Sequence, residues 1–139
     1  MLAYEPEGRF DGILLDAPCS ATGTFRRHPE VIWHRSAADI AGRVALQRRL
    51  IERALGWLDA GGILVYCVCS LEPAEGEEQA HWLLGRDGVE ALPITPGEVG
   101  GLAGAVTDEG FVRTHPGLPL PGDKGGTLDG FFVARVRRR

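Results

Sequence analysis

Lysine is nearly missing from this chain: the sequence contains fourteen arginines and a single lysine, Lys124. That bias reads as genomic base composition and points to no function. Cysteine is scarce as well, with only Cys19, Cys67 and Cys69. An odd count, spaced C-x-C with a distant third, is not the framework of a disulfide-stapled secreted domain, and a reducing cytoplasm fits it better. The same spacing lacks the paired C-x-x-C arrangement of structural zinc. No apolar run approaches the roughly 20 residues of a membrane span. The opening residues Met1 to Glu7 lack the basic start and apolar core of a signal peptide. No internal repeat and no second domain are visible. Positive charge is not in excess either: the net charge is -4 and the pI near 5.5, so a basic wrapper of nucleic acid is not the default reading.

What is present describes an ordinary globular domain. Hydrophobic residues make up 44% and charged residues 24%, which excludes a disordered chain. A length of 139 residues fits one domain with a core of its own. The 20 glycines and 9 prolines concentrate between Thr95 and Gly126, marking loops. The basic residues cluster in Arg26-Arg27-His28, in Arg43, Arg48, Arg49 and Arg53, and in Arg135 to Arg139. Such clusters can bind phosphates locally, or they can simply be solvated faces.

Phe10 to Asp16 reads as a short buried strand, apolar enough to be covered on both faces. A small-residue loop, Cys19 to Thr24, follows it. A helix then starts at Ser36, with Asp39 placed for a capping box and Ile40, Val44, Ile51, Leu55 and Leu58 on one stripe that Gln47 interrupts. Gly61 and Gly62 are available for a left-handed cap at its end. Ile63 to Cys69 reads as a second buried strand. Pro73 can open a second helix, with Glu75, Glu77 and Glu78 at its positive end and Ala80, Trp82, Leu83 and Leu84 along it. Short strands are expected at Val89 to Ile94 and Phe111 to Thr114, and a last one at Phe131 to Val136. The order predicts an α/β fold, parallel at first, with at least one late strand antiparallel.

Ligands of open α/β sheets bind beyond the carboxyl ends of the strands. Both early strands deliver a cysteine there, Cys19 in Asp16-Ala17-Pro18-Cys19 and Cys69 in Cys69-Ser70-Leu71-Glu72-Pro73. If the strands are neighbours, the two thiols face one crevice. Buried structural cysteine is the common alternative for each taken singly, and Cys67, inside its strand, reads as core. The glycines of Gly97 to Gly104 lack a strand before them and read as loop.

These residues carry a resemblance. Asp16-Ala17-Pro18-Cys19-Ser20-Ala21-Thr22-Gly23 resembles the D-x-P-C-S-x-x-G block of the RNA 5-methylcytosine methyltransferases, the NOL/NOP/Sun family. Tyr66 to Glu77 resembles that family's Y-x-T-C-S-x-x-P-x-E-N/G-E block. Arg27-His28-Pro29 and Asp129 to Ala134 match its other wording, so the resemblance runs from about Phe10 to about Arg137. The style is nearest to bacterial 16S ribosomal RNA cytosine methyltransferases.

The resemblance implies a Rossmann-like class I methyltransferase sheet, of which this chain holds the carboxyl-terminal half, residues 1–139 forming a single partial catalytic domain. It implies methyl transfer from S-adenosylmethionine to C5 of a cytosine in RNA, with Cys69 as the thiolate that adds to C6. Cys19 is then the cysteine that assists release, and Asp16 the acid beside the cofactor and the base. Pro18 would shape the loop against a flipped-out cytosine. Arg26, Arg27 and His28 are candidate backbone contacts, with a solvated loop as their alternative. Val68 replaces the family's usual threonine, a tolerable change in a strand. The family's cofactor-binding half should precede Phe10, where nine residues stand. The chain alone is therefore expected to bind cofactor weakly, to be inactive, and to expose the Ile13 to Leu15 strand as an edge able to pair with a second copy. A non-catalytic RNA-binding or assembly module and a thiol redox protein are the other classes these residues allow.

Overall fold

The computed structural model describes residues 3–33, 36–122 and 125–139. Met1, Leu2 and Lys124, singled out above, lie outside the described residues. The elements run β1 (Phe10–Asp16), α1 (Glu30–Trp33), α2 (Ala37–Trp57), β2 (Leu58–Val68), α3 (Glu77–Leu84), β3 (Val89–Ala91), β4 (Val112–Thr114) and β5 (Phe131–Arg138). The sheet order is β1-β2-β5-β3, with β4 also paired to β5. The β1 and β2 strands are parallel, whereas β5 lies antiparallel to β2, β3 and β4. This is the expected α/β sheet, parallel at first and antiparallel late.

The capping box forms as the sequence requires: Asp39 N donates to Ser36 Oγ at 3.2 Å and Ser36 N donates to Asp39 Oδ2 at 3.0 Å. The helix it starts buries Leu50, Ile51 and Ala54 against Leu15 of β1, Leu64, Tyr66 and Val68 of β2, Phe132, Ala134 and Val136 of β5, and Leu83 of α3. Each large apolar side chain so buried contributes about 1.5–3 kcal/mol before entropy is counted. A second, smaller cluster joins Ile94, Ala105, Val112 and Leu118 to Val133, covering β5 from the other side.

Four expectations are corrected. The strand β1 is not covered on both faces: Leu14 is 72% exposed and Phe10 39%. It stands at the end of the sheet order, and among the described residues no layer covers Phe10 and Leu14. No left-handed glycine caps α2; Leu58 caps it in extended conformation and starts β2 directly, while Gly61, at φ 81°, lies where the β1–β2 register slips between Phe10 and Gly12. The second helix does not open at Pro73 but at Glu77, after a turn. Cys67 is not core: side chains alternate across a strand, so Cys67 falls on the face opposite Tyr66 and is only half-buried.

The basic clusters are largely absorbed by the fold. Arg48 and Arg86 stack on Trp82 at 5.1 and 4.9 Å, and Arg53 on Trp57 at 5.2 Å. Arg135 binds Glu98 at 2.7 Å, and Arg139 binds Glu90 at 3.1 Å.

Candidate active site

Parallel pairing puts the exits of β1 and β2 side by side, with Asp16 opposite Cys67. Just beyond those exits the Cys19 and Cys69 sulfurs come to 3.5 Å. Backbone bonds fix the loops, from Ala17 N to Cys67 O at 3.0 Å and from Gly23 N to Cys69 O at 3.1 Å. Cys19 is buried and Cys69 half-buried. A negative charge is better tolerated on the sulfur nearer water. Cys19 therefore keeps its proton and donates it toward Cys69, and this hydrogen bond lowers Cys69 to about 7. The same bond, with burial, pushes Cys19 well above the ordinary thiol range. Cys67 is pushed up to about 11 by burial and by Asp16, whose Oδ1 lies 3.8 Å from its sulfur. The pair thus offers one activated thiolate and one thiol donor in contact.

Beneath the two sulfurs lies a carboxylate that sequence reasoning assigned to a helix end. Glu75 is fully buried. It accepts from Ser20 N at 2.9 Å, Ser20 Oγ at 2.5 Å, Ser70 Oγ at 2.6 Å and Gln47 Nε2 at 3.1 Å. Ser20 and Ser70 directly follow the two cysteines. Gln47, the polar break in the α2 stripe, also donates to Pro18 O at 3.0 Å and accepts from Gln79 Nε2 at 2.9 Å. The signal in the sequence was a serine after each cysteine, a glutamate in the turn, and a glutamine on an otherwise apolar stripe.

The remaining motif residues close the same knot. Thr22 Oγ1 accepts from Leu71 N at 3.1 Å. Gly130 N donates to Gly23 O at 2.7 Å. Arg113 donates to the Ser70 carbonyl, binds Glu77 at 2.9 and 2.7 Å, and lies 5.0 Å over the Phe132 ring. Burial would raise the Glu77 carboxyl, but the Arg113 hydrogen bonds, a backbone N–H and the nearby positive charge together outweigh it and leave Glu77 below its usual range. Gly76 allows this approach, since a Cβ there would stand 2.4 Å from Arg113 Nη2.

The sequence-derived candidates divide as follows. Asp16, Cys19 and Cys69 gather at one end of β1 and β2, and Asp16 is exposed there. Pro18 is exposed in the connecting loop. Arg26 and Arg27 both reach Asp129, at 3.3 and 2.7 Å, which ties them to the loop that meets Gly23. The Arg27 hydrogen bond holds the Asp129 carboxyl below its usual range. His28 turns instead to Glu30 at 3.3 Å, both side chains in solvent. Among the described residues, no group of three or more His, Cys, Asp or Glu side chains could hold a metal ion. No described helix is long and apolar enough to cross a membrane.

A family model described as 16S rRNA methyltransferase RsmB/F matches residues 3–137, almost the whole chain. The chain belongs to that family. The Xylella fastidiosa ribosomal RNA small subunit methyltransferase B is 42% identical over 127 residues, covering 91% of this chain and 27% of that protein. The Cronobacter sakazakii ribosomal RNA small subunit methyltransferase F is 39% identical over 132 residues, covering 94% of this chain and 26% of that protein. The chain of this RsmB/F family member thus spans about a quarter of the length of the curated relatives it matches.

Two solved structures place the fold. A methyltransferase homologue from Pyrococcus horikoshii superposes with TM-score 0.67 at 38% identity, over 95% of this chain and 40% of that one. NSun6 from the same organism, solved with SFG, gives TM-score 0.71 at 28% identity, over 96% of this chain and 31% of that one. The α/β sheet is accordingly the Rossmann-like sheet of Sun-family methyltransferases.

Proposed function

We propose that this RsmB/F family chain carries the catalytic cysteines of an enzyme that methylates C5 of a cytosine in RNA, ribosomal RNA being the substrate its relatives' names suggest. The observation that carries the reading is the 3.5 Å sulfur pair at the exits of two adjacent parallel strands, with the more exposed sulfur the more acidic.

The chemistry follows from the residues. Cytosine C5 is a weak nucleophile. The Cys69 thiolate forms a bond to C6, and the displaced π electrons make C5 an enamine carbon. Asp16, exposed at the end of β1, is placed to hold or protonate the base near N3. S-adenosylmethionine, when bound, supplies the methyl group that C5 takes. The C5 proton then passes to a base or water, the S–C6 bond breaks, and Cys69 leaves as thiolate. Cys19 assists that departure by donating its hydrogen bond to the leaving sulfur. Pro18 and the Arg26, Arg27 and His28 segment flank the crevice as RNA contacts.

For the cofactor, the residue of this chain that would help hold it is Asp16, through its exposed carboxylate. SFG, named with the NSun6 structure, is an analogue of S-adenosylmethionine, which supports use of that cofactor. Residues 1–139 act as a partial catalytic domain, and the stretch of the relatives beyond the match supplies the rest of the cofactor site. Calorimetry of this chain alone with S-adenosylmethionine should therefore give no micromolar binding. A cytoplasmic setting, with ribosomal RNA and reduced thiols, goes with the reading.

The test is covalent trapping. This chain, supplied with S-adenosylmethionine, with the segments its relatives carry beyond the match and with RNA containing 5-fluorocytosine, should form a stable adduct mapped by mass spectrometry to Cys69. RNA binding without any adduct would favour the non-catalytic module instead.

A further inference from the structure

Glu75 lies fully buried directly under the two cysteine loops, and its donors among the described residues are neutral: two hydroxyls, one backbone N–H and one side-chain amide. A carboxylate out of water is costly unless hydrogen bonds replace its hydration. Here those bonds come from the residues that follow the two cysteines. One oxygen, Oε2, takes both hydroxyls, so Ser20 Oγ and Ser70 Oγ are drawn to 3.1 Å of each other. Each serine is one peptide unit from its cysteine.

Glu75 is itself braced, at its backbone carbonyl as well as its carboxylate. Tyr66 OH donates to Glu75 O at 2.6 Å. Gln47 holds Oε1 from α2, and Gln79 of α3 holds Gln47 while also donating to Val44 O at 3.0 Å. Both helices and β2 thus fix Glu75, and it cannot drift with a moving loop.

We propose that Glu75 is the positioning residue of the thiol pair, setting the Cys19–Cys69 separation through Ser20 and Ser70. The inference rests on the reading above, in which Cys69 adds to the base and Cys19 assists release. Glu75 touches neither sulfur and acts only through the serines.

The experiment uses the protein as in the trapping test above, with Glu75→Gln, which keeps size and removes charge, and with Ser70→Ala beside Ser70→Thr, which keeps the hydroxyl. Two rates are measured well below each variant's unfolding temperature. One is adduct formation on 5-fluorocytosine RNA. The other is formation of the Cys19–Cys69 disulfide with diamide, which takes up the two electrons and two protons. Iodoacetamide labelling of Cys67, on the same strand, is the control for general loosening. E75Q and S70A should slow both rates by at least roughly tenfold through lost orientation, with Cys67 labelling unchanged, and S70T should restore them. Unchanged disulfide rates in S70A and E75Q overturn the inference. So does Cys67 labelling that rises in step with their loss. If E75Q does not fold, the S70A and S70T pair decides. A parent protein that forms the disulfide but never the RNA adduct refutes the functional reading, leaving the positioning role to be judged by the disulfide rates.

Discussion

Gly23 and Gly130 meet backbone to backbone: Gly130 N donates to Gly23 O at 2.7 Å, and a Cβ at Gly23 would fall 1.8 Å from Gly130 O. The Cys19 loop and the loop entering β5 are thereby pressed into one unit, with Gly23 N also bound to Cys69 O. Gly23→Ala cannot be accommodated without moving a backbone. It should destabilise the chain by about 1–3 kcal/mol, in the range of overpacked sites, and slow Cys69 chemistry as well. A urea midpoint equal to that of the parent would count against this contact.

Cys69 reactivity should follow pH as its lowered value dictates. Only the thiolate is alkylated, and its fraction grows as pH rises. The iodoacetamide rate should therefore climb through a half-point near pH 7, with Cys67 lagging until near pH 11. Removing the donor by Cys19→Ala should move the Cys69 half-point upward, toward the ordinary thiol value of roughly 8.5. A downward move would show that Cys19 does not stabilise the thiolate.

The two cysteines should fail differently. Cys69→Ala should leave no covalent RNA adduct. Cys19→Ala should still form it but release it more slowly, by roughly 10²–10⁴ fold if its assistance is typical of proton-donating catalysis, so the adduct accumulates on unmodified RNA. Equal loss of adduct in both variants would reverse this assignment.

Peroxide should oxidise Cys69 first, since it is the more acidic and more exposed of the contacting pair. Cys19 then attacks the sulfenic acid, water leaves, and a disulfide forms that dithiothreitol reverses. Peptide mapping should find Cys19 joined to Cys69 with Cys67 still free. An unchanged free-thiol count would dismiss the idea.

The exposed side chain of Leu14, at 72%, lies on an edge strand with open hydrogen-bonding groups. This chain by itself should associate with rising concentration, and Leu14→Lys should suppress it. Light scattering that stays monomeric for the parent would refute pairing through β1.

Much of this was legible in the chain itself. Period and capping placed α2 from Ser36, and the apolar runs placed β1, β2 and β5. The repeated strand-then-cysteine pattern puts Cys19 and Cys69 at equivalent strand exits. Those are local properties, set by how each segment satisfies its own backbone and which side chains it must hide. What the sequence could not supply were relations between distant segments. That Glu75 turns inward to two serines rather than capping a helix depends on β1 and β2 being neighbours. The open face of Cys67 and the exposure of Leu14 depend on which side of the sheet the helices cover. The Arg26 and Arg27 contacts with Asp129 join residues about a hundred positions apart. Local chemistry chose the strands, the helices and the two thiols; only tertiary packing decided that the thiols touch, because their 3.5 Å approach is the product of parallel strand register and a shared buried carboxylate.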